Sequence, residues 1–353
     1  MPLDESTGKI IPVDLIDNQF IDKDTGQAML PSLVNPEDEL NFKIKRDFYI
    51  DGYATLRESV KQIRQYEIAD QYNAVLSRMD GQEEYWLKFI GMFKSVQKLQ
   101  LKREARIFSD VLSEKKLNKK IDSLLLNGLI AKWKYHHPIN DSDISVYTLS
   151  GNGYRFLKTF YSDGYFHPQS FFSLNPRYHL RFWETLDVYQ LLISLPVYHE
   201  STTLFRGEPN RGKPLLPSPL QVNLDLSNHK PKNLIFYPAL HNDNEAYYKD
   251  AVAKWADYIR TADGNNIDLN LPVNDLPVGQ NVLSFYTPTL KRAYELNNIL
   301  HLRQFAFPSL FLVGTQIARE GLTKAFYIPN RENDELRQLN SENILLKRDR
   351  HEM

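Results

Sequence analysis

The alternation of apolar and polar residues is most regular between Ser113 and Phe160. In the first part of this stretch, apolar residues recur about one helical turn apart, which predicts a helix with one buried face: Leu117, Ile121, Leu124 and Leu125. Ser113 is placed to cap the start of this helix, with Glu114 in its first turn, and Asn127-Gly128 to end it in a left-handed C-cap. Polar residues crowd the opposite side of its first two turns: Lys115, Lys116, Asn118, Lys119 and Lys120.

The pattern then changes to that of a β-hairpin. Residues 129–137 are rich in apolar and aromatic side chains, and residues 145–149 alternate in the manner of a strand. The polar stretch 138–143 between them predicts a turn. Ser150 is expected to cap a last short helix, which carries Tyr154, Phe156, Leu157 and Phe160.

Two more helices are predicted upstream, at 84–96 and at 101–108, and a turn through Ser109 and Asp110 leads from them into the long helix. Two helices, a turn, a longer helix and a hairpin, in this order, are typical of a protein that offers a helix to the major groove of DNA. The sequence LLNGLI, followed by a basic strand and YTLSGNGYRFL, resembles winged-helix DNA-binding domains.

Charge supports the same interpretation. Residues 85–160 contain 14 Lys and Arg against six Asp and Glu, whereas the whole chain has a net charge of −1. A basic segment in an acidic chain is typical of local phosphate binding. We expect these residues to contact double-stranded DNA: Lys102, Arg103, Lys115, Lys116, Asn118, Lys119, Lys120, Lys132, Lys134, His136 and Asn140. The alternative is that the lysines only solvate the outer face of a packing helix.

The remaining sequence predicts an N-terminal extension and a second domain. Residues 1–82 form a Pro-interrupted arm and, over 53–79, one long amphipathic helix whose apolar stripe meets either the winged-helix core or a second subunit in a homodimer. The winged helix-turn-helix is assigned to 83–161, a linker to 162–177, a mixed α/β domain to 178–329 and a charged, solvated tail to 330–353. The α/β domain is predicted to have a helix at 180–195, strands at 220–226, 233–237, 282–286 and 309–313, and helices at 244–262 and 289–301. The fold class is therefore α+β.

Other chemistries find little support in the sequence. There is no cysteine and no apolar run long enough for a membrane span, so we expect a cytoplasmic protein without a membrane partner. Gly207 to Lys213 matches the spacing of a phosphate-binding loop, but Pro214 stands where Ser or Thr should hold magnesium. His136 and His137 alternate across a strand and cannot chelate one ion together. We expect neither a cofactor nor a metal site.

The second domain resembles the restriction-endonuclease-like module of the replication-relaxation family of plasmid and conjugative-element proteins. The resemblance spans roughly Tyr85 to Pro329 and rests, in this domain, on NLIFYPALHNDNEAYYKDAVAKWADYI and on NVLSFYTPTLKRAYELNNILH followed by PSLFLVG. Active nucleases of that fold hold magnesium with a carboxylate at one strand end and a Glu-x-Lys on the next strand. Asp225 fits the first position, but the strand 233–238 lacks the second.

The resemblance therefore implies a DNA-binding accessory protein of a mobile element, not an enzyme, with an inactive nuclease-like domain. Its target would be an origin of transfer or replication, and its partner a relaxase, replication or coupling protein. Two alternatives stay open at this stage. One is a transcriptional repressor with an effector-binding α/β domain, and the other is a divergent magnesium-dependent nuclease that uses Asp225.

Overall fold

The structure is a computed structural model that describes residues 20–21, 24, 26, 28–29, 35–138, 142–161, 175–203, 218–226, 230–260, 266–270, 276–341 and 345. The chain divides into two compact units. We call residues 42–186 the hairpin unit, and residues 1–41 with 187–353 the sheet unit. These limits differ from the sequence-based boundaries at 82 and 177, because residues 42–82 belong with the hairpin and residues 1–41 with the second sheet.

Two carboxylates attach the N-terminal part of the sheet unit: Asp24, which accepts from the N–H and the hydroxyl of Thr323 at 2.8 Å each, and the buried Glu39. Strands β1 (Phe20–Ile21) and β2 (Ala28–Met29) pair antiparallel, and helix α1 (Pro36–Leu40) follows. Glu39 of α1 is only 1% exposed. Its two carboxylate oxygens accept hydrogen bonds from the backbone N–H groups of His241 and Asn242, both at 2.8 Å. Two charge-assisted bonds of this kind offset much of the cost of burying the carboxylate.

The hairpin unit is a set of helices packed on a four-stranded antiparallel sheet of spatial order β3-β5-β6-β4. Its elements are β3 (Lys45–Asp47), α2 (Leu56–Gln62), α3 (Asp70–Leu76), α4 (Gly81–Phe93), β4 (Ser95–Gln97), α5 (Lys98–Ile107), α6 (Glu114–Leu126), β5 (Ile130–His137), β6 (Ser142–Leu149), α7 (Gly151–Tyr161) and the first part of α8 (Arg177–Leu192).

The helices and hairpin predicted between residues 84 and 160 are confirmed to within a few residues. Helix α6 packs against α4 and α5 through the predicted apolar face, in which Leu117, Ile121 and Leu124 are at most 2% exposed. Helix α4 begins at Gly81 and ends before a short strand, β4, that the sequence pattern did not predict. Strand β4 adds to the hairpin by pairing with β6.

The single long helix predicted over 53–79 is wrong, because α2 and α3 are separate helices. Between them, the backbone N–H of Arg64 donates to the carbonyl of Leu126 at 2.8 Å, and the Tyr66 hydroxyl donates to the carbonyl of Asn127 at 2.6 Å. These donors satisfy carbonyl groups that the end of α6 leaves without helical partners. A continuous helix would lose both bonds.

A buried polar cluster connects β4 with α8 inside the hairpin unit. Trp183 Nε1 donates to Ser95 Oγ at 3.0 Å, and Ser95 Oγ lies 2.8 Å from His179 Nδ1. Because the serine oxygen accepts from the indole, its own proton is free to donate to Nδ1, which favours the neutral imidazole. Burial lowers the pKa of His179 to about 4.

The sheet unit is built on a mixed seven-stranded sheet, within the described residues, whose spatial order follows the chain from β7 to β13. Strands β9, β10 and β11 are parallel, and the other neighbours are antiparallel. The elements are β7 (Tyr198–Thr202), β8 (Leu220–Leu224), β9 (Lys232–Pro238), α9 (Glu245–Tyr258), β10 (Gln280–Thr287), α10 (Leu290–Leu300), β11 (Ser309–Val313), α11 (Gly314–Glu320), β12 (Phe326–Pro329) and β13 (Leu336–Leu339).

Helices cover both faces of this sheet, as the sequence predicted for an α/β domain. Alternate residues of β9 divide between two cores, with Ile235 and Tyr237 facing α9 and α10, and Leu234 and Phe236 facing the other side. The second core includes the end of α8 and Ile317 of α11. The described part of the chain is therefore α+β.

The prediction of a solvated tail from residue 330 onwards is wrong for its first part. Strand β13 pairs with β12, and Leu336 is 7% exposed in the core. Charged residues surround β13, so the sequence pattern did not predict a strand there. An edge strand with one solvated face commonly carries charged residues. The predicted linker lies mostly outside the described residues, and so does the loop from Gly207 to Lys213.

Candidate nucleic-acid interface

The exposed side of α6 is held in place from both ends of the helix. Asn127 ends α6, and Gly128 follows with a φ of 63°. A Cβ at Gly128 would lie 2.8 Å from the carbonyl oxygen of Arg64, so both the backbone conformation and the space require glycine. The Ser150 hydroxyl donates to the Gly128 carbonyl at 2.6 Å and accepts from the N–H of Gly153 at 3.0 Å. This hydroxyl joins the end of α6 to the start of α7, and it caps α7 as the sequence predicted.

The start of α6 is fixed by an arginine on the preceding helix. Arg106 binds Glu114 with two nearly parallel hydrogen bonds, Nε to Oε2 at 2.8 Å and Nη2 to Oε1 at 2.9 Å. The hydrogen bonds from Arg106 hold the pKa of Glu114 below its ordinary value. A bidentate pair is more specific in geometry than a single contact. Because Glu114 is paired with Arg106, it does not neutralise the lysines in the first turn of α6.

Four of the predicted contact residues lie together on the exposed face of α6: Lys115, Lys116, Asn118 and Lys119. In the described part of the chain, no ion pair involves the three lysines among them. Three unneutralised charges on one and a half turns of helix form a small, strongly positive surface. We call these four residues the lysine face.

Lys120 is not part of this surface, which contradicts its prediction as a DNA contact. Its side chain is 15% exposed, and its ammonium group hydrogen-bonds to Asp80 and lies 3.8 Å from Glu83. Asp80 is the N-cap of α4. The hydrogen bond with Asp80 raises the pKa of Lys120. Lys120 therefore connects α6 to the start of α4.

Lys132 is also wrongly predicted as a DNA contact. It is 7% exposed, and its ammonium group donates to the Tyr49 carbonyl at 3.0 Å and lies 3.5 Å from Asp47 and 3.8 Å from Asp51. Lys134, the next lysine on the same face of β5, is 42% exposed and lies 3.3 Å from the same Asp47 carboxylate. The acids enter because β3 pairs with the edge of β5. They neutralise much of the charge that the hairpin carries in the sequence.

The other predicted contacts divide three ways. Arg103 is 2% exposed within the core of α5, so it cannot reach a nucleic acid, whereas Lys102 on the same helix is partly exposed. His136 is exposed, and its Nδ1 lies 3.5 Å from Asp143 on the opposite strand of the hairpin. Asn140 lies outside the described residues.

The acids that pair with Lys120 and Lys132 are Asp47, Asp51 and Asp80, and all three precede the basic segment in the sequence. No local sequence pattern predicts these ion pairs, because the partner lysines are 40 to 87 positions away in the sequence. The net charge counted over 85–160 therefore overstates the charge that this unit offers to solvent.

The described residues of the sheet unit offer no matching set of carboxylates at Asp225. This residue follows β8 and is exposed. Its neighbours on the same face of the sheet are buried amides: Asn223 Nδ2 donates to Asn233 Oδ1 at 2.7 Å, and Asn233 Nδ2 donates to Asn281 Oδ1 at 3.2 Å. Among the described residues, no group of three or more His, Asp or Glu side chains is arranged to hold a metal ion. These described residues do not fit the magnesium site of a nuclease.

Comparison with models of protein families, with curated proteins and with solved structures finds no match for this chain. The resemblance to the replication-relaxation family therefore rests on the sequence stretches quoted above. In the described residues, no helix combines the length and the apolar character needed to cross a bilayer.

Proposed function

We propose that this chain is a DNA-binding protein and that its hairpin unit is a winged helix-turn-helix. Helix α6 is the recognition helix in this proposal, and the β5–β6 hairpin is the wing. The order α4, β4, α5, α6, β5, β6, with β4 joined to the hairpin, supports this arrangement. A helix presented beside a hairpin in this way fits the major groove.

The lysine face is the observation that carries the proposal. Its three lysines point away from the core and have no ion pair in the described residues, while Lys120 and Lys132 are bound to the protein's own acids. The charges of these three lysines are therefore available to phosphate groups. Lysines position the protein on phosphate groups, and Asn118 is the residue of this face suited to a base edge, by pairing with adenine.

By the sequence resemblance, the target is an origin of transfer or replication on a mobile element, and the partner is a relaxase, replication or coupling protein. A repressor that uses the same interface at a promoter is the second candidate, and the cavity described in the next subsection favours it. The nuclease alternative is not proposed, because Asp225 stands among amides rather than carboxylates.

Selection of bound duplexes from a random pool, followed by footprinting on the recovered natural site, tests the proposal. We expect enrichment of one sequence motif, and its loss in Asn118→Ala. Protection over an origin favours the accessory role and protection over a promoter the repressor. Failure of the full-length chain to retain any duplex at low salt would contradict both.

A further inference from the structure

The sheet unit contains an apolar cavity of about 280 Å³. It lies on the face of the sheet that also carries α8 and α11, where β9, β10 and β11 begin. Its walls include Leu234, Val282, Leu310, Phe326 and Leu339. The space is partly open to solvent, as is usual for a cleft that a small ligand can enter.

The mouth of the cavity is positively charged. Lys232 and Gln280, the first residues of β9 and β10, line it, and the lysine ammonium donates to the Gln280 side-chain oxygen. The adjoining polar cleft is lined by two lysines, Lys230 and Lys232, and by one acid, Asp268, so its net charge is positive. Within the described residues, no carboxylate forms an ion pair with either lysine. Burial, with a smaller effect from Lys230, lowers the pKa of Lys232, as expected for a charge that lacks a neutralising partner.

We propose that this cavity binds a small amphipathic anion, with its apolar body between the strands and its carboxylate on Lys232. Binding sites of this kind are mostly apolar and orient the ligand with one or a few polar groups. An apolar cavity of about 150 Å³ holds a benzene ring, so this one accommodates a body of roughly eight to twelve carbons. The proposal does not depend on DNA binding, since every residue that it uses belongs to the sheet unit.

Calorimetric titration of the full-length chain with straight-chain carboxylates from hexanoate to dodecanoate, below their micelle concentrations, tests the inference. We expect one ligand per chain and an affinity that rises about fourfold with each methylene, then levels off when the cavity is full. The 1-alkanol of the same length should bind about tenfold more weakly, because it lacks the charge that pairs with the ammonium.

Lys232→Met should abolish the preference for carboxylate over alcohol and leave alcohol binding unchanged. Lys249→Met is the matched control, since this lysine is exposed on α9 and away from the cavity. Leu339→Trp, on the edge strand β13, should fill the space and weaken both ligands at least tenfold, provided its thermal unfolding resembles that of the wild type. Wild-type protein that shows no saturable binding, or that binds alcohol and carboxylate equally, would overturn the proposal. So would an unchanged carboxylate preference in Lys232→Met.

Discussion

Replacing Lys119 with Ala gives the most direct test of the lysine face. If Lys115, Lys116 and Lys119 each neutralise one phosphate, they contribute about −2.7 to the slope of log K against log salt. Raising salt from about 50 to 200 mM then weakens binding about 40-fold through these contacts. Lys119→Ala should bring that slope contribution to about −1.8 and the weakening to about 12-fold. Alanine preserves the helix, so the change isolates the charge.

The assay is fluorescence anisotropy of a labelled duplex, titrated at several salt concentrations. Lys120→Ala is the matched control, one position along the same helix. Because its ammonium group is bound to Asp80, its removal should leave the salt slope within error and cost about 0.5 kcal/mol of folding stability. The reasoning is refuted if Lys119→Ala leaves the slope unchanged, or if Lys120→Ala reduces it by as much as Lys119→Ala does.

Three further predictions concern the hairpin unit. The pKa of His179 is about 4 in the folded chain and about 6.5 in the unfolded chain, so the unfolded chain takes up a proton first as the pH falls. The free energy of unfolding should therefore fall by up to about 3 kcal/mol between about pH 6.5 and pH 4. Urea unfolding should show a flatter pH profile in His179→Gln. Lys132→Met should cost about 2 kcal/mol, because the Asp47 carboxylate loses one of its two paired lysines and keeps Lys134, and the double variant with Asp47→Leu should recover part of that loss in the same assay. Gly128→Ala should lower the free energy of unfolding by about 2 kcal/mol, and a loss below about 0.5 kcal/mol would contradict the assigned backbone conformation.

The elements that could be predicted are those whose signal is local. The pattern that predicts α6, its glycine cap and the hairpin lies in residues within a few positions of each other. The parallel strands of the sheet unit are predicted by short apolar runs. Strand β4 is only three residues long and lies directly between two helices, so its period is too short to recognise. The break between α2 and α3 is imposed by bonds to the end of α6, which no pattern within 53–79 contains.

The candidate site was predicted in part for a similar reason. Exposure of Lys115, Lys116 and Lys119 follows from their position opposite the apolar face of α6. Lys120 and Lys132 are instead neutralised by Asp80 and Asp47, which the fold places beside them. Sequence spacing assigns a lysine to a side of a helix or strand, but it does not give the charge of the neighbour across the fold.

Strand β3 has a consequence for dissecting the protein. A fragment cut at residue 83, where the basic segment starts, would keep α4 to α7 but lose the strand that completes the edge of β5. It would also remove the Tyr49 carbonyl and the acids that bind Lys132, and it would expose the carbonyl groups at the end of α6. The smallest autonomous piece that carries the lysine face therefore starts near residue 42, before β3, rather than at the first residue of the helical motif.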